Sequence, residues 1–191
     1  ETAAGTSNLF VNVASGTTAT FANITASTFD NGSDIFRVNA SGTANVTGPD
    51  LMTVMYGGPG GDNLQGGNQN DTINGLSGDD TIGGGDGDDT IDGGDGDDRL
   101  TGGPGNDRYL FNTNDVDSGE RIIEASSGGT DIVVIVTSTD FVNILSSSFD
   151  EIEQIEFASA GQTGTFTGTQ LTGETIDLTE TATGTSTFII N

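Results

Sequence analysis

The chain has 191 residues, of which 29 are acidic and four are basic, and its formal net charge of −25 disfavours nucleic acid and anionic lipid as partners. It contains no Cys, which excludes a disulfide framework and a thiolate zinc site. No stretch approaches the roughly 18 consecutive apolar residues that a membrane-spanning helix needs, so we expect no membrane insertion. Because the chain starts Glu1-Thr2-Ala3, without Met or a signal-like segment, we expect a mature product or a piece of a longer chain.

Residues 1–56 predict short β-strands separated by small polar residues, with no helical period. Val, Ile, Thr and Phe, which favour strands, dominate the apolar positions. The predicted strands are 9–13, 34–38, 44–47 and 52–56.

Between residues 57 and 110 a nine-residue unit repeats six times without a gap: GGPGGDNLQ, GGNQNDTIN, GLSGDDTIG, GGDGDDTID, GGDGDDRLT and GGPGNDRYL. Position six is always Asp, and position eight is always a large apolar residue (Leu64, Ile73, Ile82, Ile91, Leu100 and Tyr109). One apolar residue per unit leaves a thin core, so burial alone does not hold the array. Gly-rich turns direct carbonyls inward and Asp supplies charge, which predicts a hard cation held by oxygen ligands.

These units match the pattern GGxGxDxUx and resemble the RTX, or hemolysin-type, calcium-binding nonapeptide family. The resemblance implies an all-β, right-handed parallel β-roll, or β-helix solenoid, in which two nonapeptides form one coil and calcium ions sit between stacked turns. Repeats one, three and five would stack along one edge, and repeats two, four and six along the other. Each edge then has two gaps, which gives about four calcium ions or more if half-sites form at the ends.

The resemblance also implies which residues face the ions. The predicted carboxylate ligands are the position-six residues Asp62, Asp71, Asp80, Asp89, Asp98 and Asp107. Further ligand positions are position four (Gly60, Gly78, Gly87, Gly96 and Gly105) and position five (Asn70, Asp79, Asp88, Asp97 and Asn106). The array holds 12 Asp against two Arg, and we expect it to stay loose until calcium neutralises this charge.

Three residues depart from the pattern and predict weak places in the array. Gln69 replaces the position-four glycine, Leu76 replaces the position-two glycine, and Gly61 removes the polar residue of position five. The best-formed stretch is therefore expected at 84–110.

Segments 39–47 and 48–56 keep the nonapeptide spacing in a faded form. Val46 and Met55 occupy position eight, whereas Ala44 and Thr53 stand where Asp is expected. We predict metal-free coils that cover the end of the roll, as terminal repeats do in solenoids.

Residues 111–191 predict further strands at 131–136, 152–157, 165–167, 175–178 and 187–190. Segment 21–30 matches 141–150 at six of ten positions, and matches continue at the same offset of 120 to Leu51 and Leu171. We infer a unit of about 120 residues and three segments: flanking β coils at 1–56, the calcium-binding roll at 57–110, and flanking β coils at 111–191 that form a partial second copy. These flanks resemble segments of large bacterial secreted and surface RTX proteins.

Catalysis is not expected, because the chain has no His, Lys or Cys. The paired carboxylates Asp79/Asp80, Asp88/Asp89 and Asp97/Asp98 recur in phase with the predicted ligands, which favours a scaffold over a catalytic centre.

Three functions are compatible with the sequence. The first is a calcium-stabilised structural segment of a secreted or cell-surface bacterial protein, with neighbouring domains of a longer chain or surface and matrix components as partners. The second is a carbohydrate-binding or targeting module attached to an enzyme, and the third is a C-terminal tail linked to type I secretion. An extracellular or cell-surface location is expected, because low cytosolic calcium would leave sites with Kd on the order of 10⁻⁴ to 10⁻³ M empty.

Overall fold

The computed structural model describes residues 8–20, 35–113, 115–116, 119–124, 129–144, 146–171, 176–180 and 184–191. The described chain is all-β apart from one short 3₁₀ helix, Ser146–Phe149. Its strands pair in parallel and form three sheets. The predicted solenoid fold is confirmed.

Eighteen strands follow one another along the described chain: β1 Asn8–Val13, β2 Thr17–Thr20, β3 Ile35–Ala40, β4 Ala44–Thr47, β5 Thr53–Pro59, β6 Asn63–Gly67, β7 Thr72–Ser77, β8 Thr81–Gly85, β9 Thr90–Asp95, β10 Arg99–Thr101, β11 Arg108–Phe111, β12 Arg121–Ile122, β13 Ile132–Ile135, β14 Thr139–Asp140, β15 Gln154–Phe157, β16 Thr163–Phe166, β17 Asp177–Glu180 and β18 Thr187–Ile190. The odd-numbered strands from β1 to β17 form a nine-stranded sheet in sequence order. The even-numbered strands form a six-stranded sheet, β2 to β12, and a three-stranded sheet, β14 to β18.

Within the array each strand pairs with the strand two repeats further along, so one coil consists of two nonapeptides. Leu64 pairs with Ile82 on the six-stranded sheet, and Ile73 pairs with Ile91 on the nine-stranded sheet. Odd-numbered and even-numbered repeats therefore stack on opposite edges, as predicted.

The core is built from two columns of apolar side chains that face each other across the coil. Both columns consist of buried residues in register on successive strands, which explains why position eight never varies in character. On the nine-stranded sheet the column is Val38, Met55, Ile73, Ile91, Tyr109, Val133 and Ile155, and on the six-stranded sheet it is Val46, Leu64, Ile82, Leu100 and Ile122. The prediction that Val46 and Met55 keep the position-eight phase is confirmed.

The C-terminal coils are larger and are held by aromatic packing. Paired residues there lie further apart in the chain than two nonapeptides, as in the pairs Val133 with Ile155 and Thr139 with Gly164. The longer coils enclose Phe141, which stacks on Phe166 at 4.8 Å between ring centroids and contacts Phe111 and Phe149 edge-on. Buried aromatic side chains therefore stabilise the coils that follow the Asp repeats.

Each of the nine predicted flank strands overlaps an observed strand, although Asp34 and Thr175 lie outside the described residues. The sequence reasoning missed β2, β12, β14 and the 3₁₀ helix, which are short or rich in small polar residues. Segment 21–30 of the proposed 120-residue unit also lies outside the described residues, so that unit stays a prediction.

The flanks and the array share continuous sheets, which leads to a first testable prediction. Pairs β5–β7, β4–β6 and β11–β13 carry the hydrogen-bonded ladders between the flanks and the array. Flanking coils thus offer strand edges on which the first array coils form. We expect a fragment of 57–110 to need distinctly more calcium for β-structure than a fragment of 30–170, measured as calcium midpoints by far-UV circular dichroism. Equal midpoints would show that the flanks are independent neighbours.

Candidate metal centre

The position-six aspartates form a hydrogen-bonded column along each edge of the solenoid. In each of the six, Oδ1 accepts the backbone N–H of the position-six residue in the preceding coil, at 2.5–2.8 Å. Ala44 and Thr53, which replace Asp in the faded repeats, donate the first of these bonds to Asp62 and Asp71. One Asp per turn therefore links neighbouring coils on both sides.

The columns continue beyond the repeats through residues that the sequence reasoning did not assign to the site. Asp98 N–H donates to Glu120 Oε2 at 3.1 Å, and Asp107 N–H donates to Asp131 Oδ1 at 2.9 Å. Asp131 N–H in turn donates to Glu153 Oε2 at 2.7 Å. A sequence signal was present, because each of these residues begins an acidic–x–aliphatic triplet like that of Asp98-Arg99-Leu100. The loss of the regular nonapeptide spacing concealed it.

The second carboxylate oxygen of each position-six Asp is buried without a hydrogen-bond partner. These side chains are at most 3 % exposed. Burial raises the pKa of all six, to about 8 for Asp71, about 7 for Asp80 and Asp107, and about 6 for Asp89 and Asp98. A buried, unpaired carboxylate is strongly unfavourable, so each Oδ2 calls for a proton or a cation.

Backbone carbonyls converge on the same places as these oxygens. A Cβ atom on Gly66 would lie 2.3 Å from both Asp71 Oδ2 and the carbonyl oxygen of Gly84 in the next coil. The equivalent point at Gly75 lies 2.1 Å from Asp80 Oδ2 and 2.4 Å from the Gly93 oxygen. Position one must therefore be glycine, because the space that a side chain needs is lined by oxygen atoms.

The position-five side chains form a second, exposed column of hydrogen bonds. Here each side chain accepts the N–H of the following coil, whereas each position-six Asp accepts the N–H of the preceding coil. Asn70 Oδ1 accepts the N–H of Asp88 at 3.0 Å, and Asp88 Oδ1 accepts the N–H of Asn106 at 2.9 Å. On the other edge Asp79 accepts from Asp97, and Asp97 accepts from Gly119. These side chains thus lie at the turns and link successive coils, and their role as calcium ligands stays a prediction.

The position-four glycines have both the conformation and the space that only glycine supplies. Gly60, Gly78, Gly87, Gly96 and Gly105 all have positive φ. A Cβ atom on Gly105 would lie 2.0 Å from the carbonyl oxygen of Gly87 in the preceding coil. Carbonyls of this position therefore face the following turn.

The departures from the repeat pattern have different consequences in the two turns concerned. Five of the six turns share positive φ at positions two and four, including turn one with Gly61, so this feature does not single out 84–110, and the greater regularity of that stretch stays a prediction. In turn two neither Gly67 nor Gln69 has positive φ, so this turn has a different backbone. In turn three Leu76 keeps the repeat conformation with φ of 79°, which is strained for a residue with a side chain.

Replacing Leu76 by glycine should therefore stabilise the protein. Leu76 is 44 % exposed, so little burial is lost, and removal of the left-handed strain should outweigh the entropy of glycine by about 0.5–1 kcal/mol. The matched control is Ser77→Gly, an exposed neighbour without positive φ, which should lose stability. Urea unfolding at fixed calcium compares the two. Equal losses in both variants would contradict the strain at Leu76.

The donor set suits calcium. Carboxylate, amide and carbonyl oxygens are the ligands of hard cations, and the buried Oδ2 atoms supply uncompensated negative charge. Among the described residues no three Asp or Glu side chains come together as a ready metal cluster, and each turn of the array contributes one buried carboxylate. A bound ion would draw ligands from the two turns that flank it.

No helix in the described parts is long and apolar enough to cross a membrane.

Comparison with protein families identifies the array. The model of the RTX calcium-binding nonapeptide repeat matches four copies, over residues 56–91 and 84–109. Residues 56–109 are thus RTX calcium-binding repeats, a structural and not a catalytic family, and calcium is the ligand that these repeats imply. Comparisons with curated proteins and with solved structures give no match.

Proposed function

We propose that the stacked turns of residues 57–110 bind calcium between coils and that this binding folds and stiffens the chain. The proposed ligands are the position-six carboxylates with oxygens from positions four and five, in about four inter-turn sites. The single observation that carries the proposal is the set of six buried Oδ2 atoms without a partner. A divalent cation removes the repulsion that the folded turns otherwise impose on one another.

We further propose that the chain is a structural segment of a secreted or cell-surface bacterial protein. Sites built from single carboxylates and carbonyls belong to the weaker calcium classes, which fill only where calcium is abundant. In this proposal residues 1–56 and 111–191 are flanking coils outside the four inter-turn sites of the array, and they extend the roll toward neighbouring domains or surface components. The continuous sheets support a stiff spacer, since the strands at both ends pair with the array.

The arginines bear on the alternative of a module for anionic carbohydrate. Arg108 forms a salt bridge with Glu156 at 3.0 Å, and the Arg37 guanidinium lies 5.6 Å from the Phe10 ring centroid. Two of the four Arg residues are thus engaged with other groups, and the structural role is favoured. A glycan array with the calcium-loaded protein tests this alternative.

Isothermal titration of chelator-stripped protein tests calcium binding directly. We expect about four calcium ions, with Kd on the order of 10⁻⁴ to 10⁻³ M. Magnesium should give little heat, because it requires small octahedral sites and releases water reluctantly. Absence of calcium binding at millimolar concentration, or equal binding of magnesium, would refute the proposal.

A further inference from the structure

The turn that follows the repeats on the Asp98 edge ends in Glu120. Strand β12 pairs with β10 so that Arg121 lies beside Arg99, and Glu120 therefore stands in the position-six column directly after Asp98. Its Oε2 accepts the Asp98 N–H at 3.1 Å, as the aspartates do within the array. Glu120 lies outside the residues that match the repeat family, which end at 109.

The Glu120 side chain, like the array carboxylates, has a buried oxygen without a hydrogen-bond partner. It is 1 % exposed, and its Oε1 is buried without a hydrogen-bond partner. Across the gap, Asp98 is also 1 % exposed, and its Oδ2 has no partner either. Two neighbouring turns of the same column thus each bury one unpaired carboxylate oxygen.

Further negative charge lies near this gap, and no described Arg forms a salt bridge with it. Asp115, from the same turn as Glu120, is 6 % exposed, and Asp97 Oδ1 accepts the Gly119 N–H at 3.1 Å. The salt bridge found among the described residues joins Arg108 to Glu156 and leaves these acids unneutralised. Burying so many like charges is unfavourable unless a cation lies among them.

We infer that this gap is a calcium site in its own right, held by Glu120 and Asp98, so that calcium binding extends one turn beyond the repeats. The inference rests on the proposed function of the array. Two carboxylates from facing turns supply the charge, and backbone or water oxygens complete the shell of six to eight ligands that calcium takes. Asp115 adds to the negative field that attracts the ion.

Native mass spectrometry at controlled free calcium counts the ions bound to each variant. Glu120→Gln keeps an oxygen acceptor for the Asp98 N–H but removes the charge, and it should bind one ion fewer than the wild type. The matched control is Glu151→Gln, at an exposed glutamate, which should bind the wild-type number. Far-UV circular dichroism at saturating calcium verifies that the variants keep their β-structure.

A second variant covers the case in which Glu120→Gln disturbs folding. Asp115→Asn leaves the Asp98–Glu120 contact intact and should raise the calcium concentration at which one ion binds. An unchanged number of ions and unchanged half-saturation in both variants would overturn the Glu120 site while leaving the array sites intact. A wild type that binds no calcium at all would instead refute the proposed function itself.

Discussion

Asp89→Asn should lower calcium binding about twice as much as Asp62→Asn. Asp89 lies in the middle of its edge: its Oδ1 accepts from Asp71, and its own N–H donates to Asp107. It therefore borders two inter-turn gaps. Asp62 lies at the end of the array, where its Oδ1 accepts from metal-free Ala44, and it borders one gap. At free calcium of about ten times Kd, each ion contributes roughly 1.4 kcal/mol to stability.

The substitution to Asn keeps the hydrogen-bond acceptor and removes only the charge. Asp177→Asn is the control, since Asp177 is an exposed aspartate in β17, outside the array, and it should leave the ion count unchanged. Isothermal titration gives the number of ions and urea unfolding gives the stability loss. Equal loss of ions in Asp89→Asn and Asp62→Asn would contradict the sharing of ions between alternate repeats.

Without calcium, the β-structure should increase as pH falls from about 8 to about 5. Burial raises the pKa of the array carboxylates above the unfolded value near 4, to about 8 for Asp71 and about 7 for Asp80 and Asp107. A raised folded pKa stabilises the fold below the unfolded pKa, and this stabilisation is lost as pH rises through the folded pKa. One pKa unit corresponds to about 1.4 kcal/mol, so several such groups together decide whether the array folds.

Calcium should abolish this dependence, because it binds the deprotonated carboxylates and replaces the protons. Far-UV spectra recorded at several pH values, with chelator and with millimolar calcium, compare the two states. If the β-structure of the calcium-free protein stays constant or increases as the pH rises from about 5 to about 8, the carboxylates are not buried in the folded turns as described.

The regular part of the fold was accessible from the sequence because a single period governs it. Leu64 and Ile82 recur two repeats apart in the chain and lie side by side in the sheet. The same phase identified Val46 and Met55 as members of the core columns, although their repeats have lost the Asp. Because the repeat is strictly periodic, the position of a residue in its repeat predicts both its neighbour in the sheet and whether it is buried.

The irregular part was less accessible because its spacing changes. Glu120 follows Asp98 at a wider spacing than the two nonapeptides of an array coil, and only the pairing of Arg99 with Arg121 places it in the column. Phe141 and Phe166 stack across coils whose lengths follow from side-chain packing. No sequence repeat indicates those lengths. The hydrogen bonds of the Asp Oδ1 atoms also depend on the backbone of each turn, and residue types alone do not determine that backbone.

The most direct test of the account is the far-UV circular dichroism spectrum of the intact chain at neutral pH, first with chelator and then with millimolar calcium. With chelator, the buried carboxylates repel one another, and we expect the array to be largely disordered. Addition of calcium should produce a cooperative gain of β-structure that magnesium does not reproduce. Identical spectra in chelator and in calcium would contradict the claim that calcium folds the array.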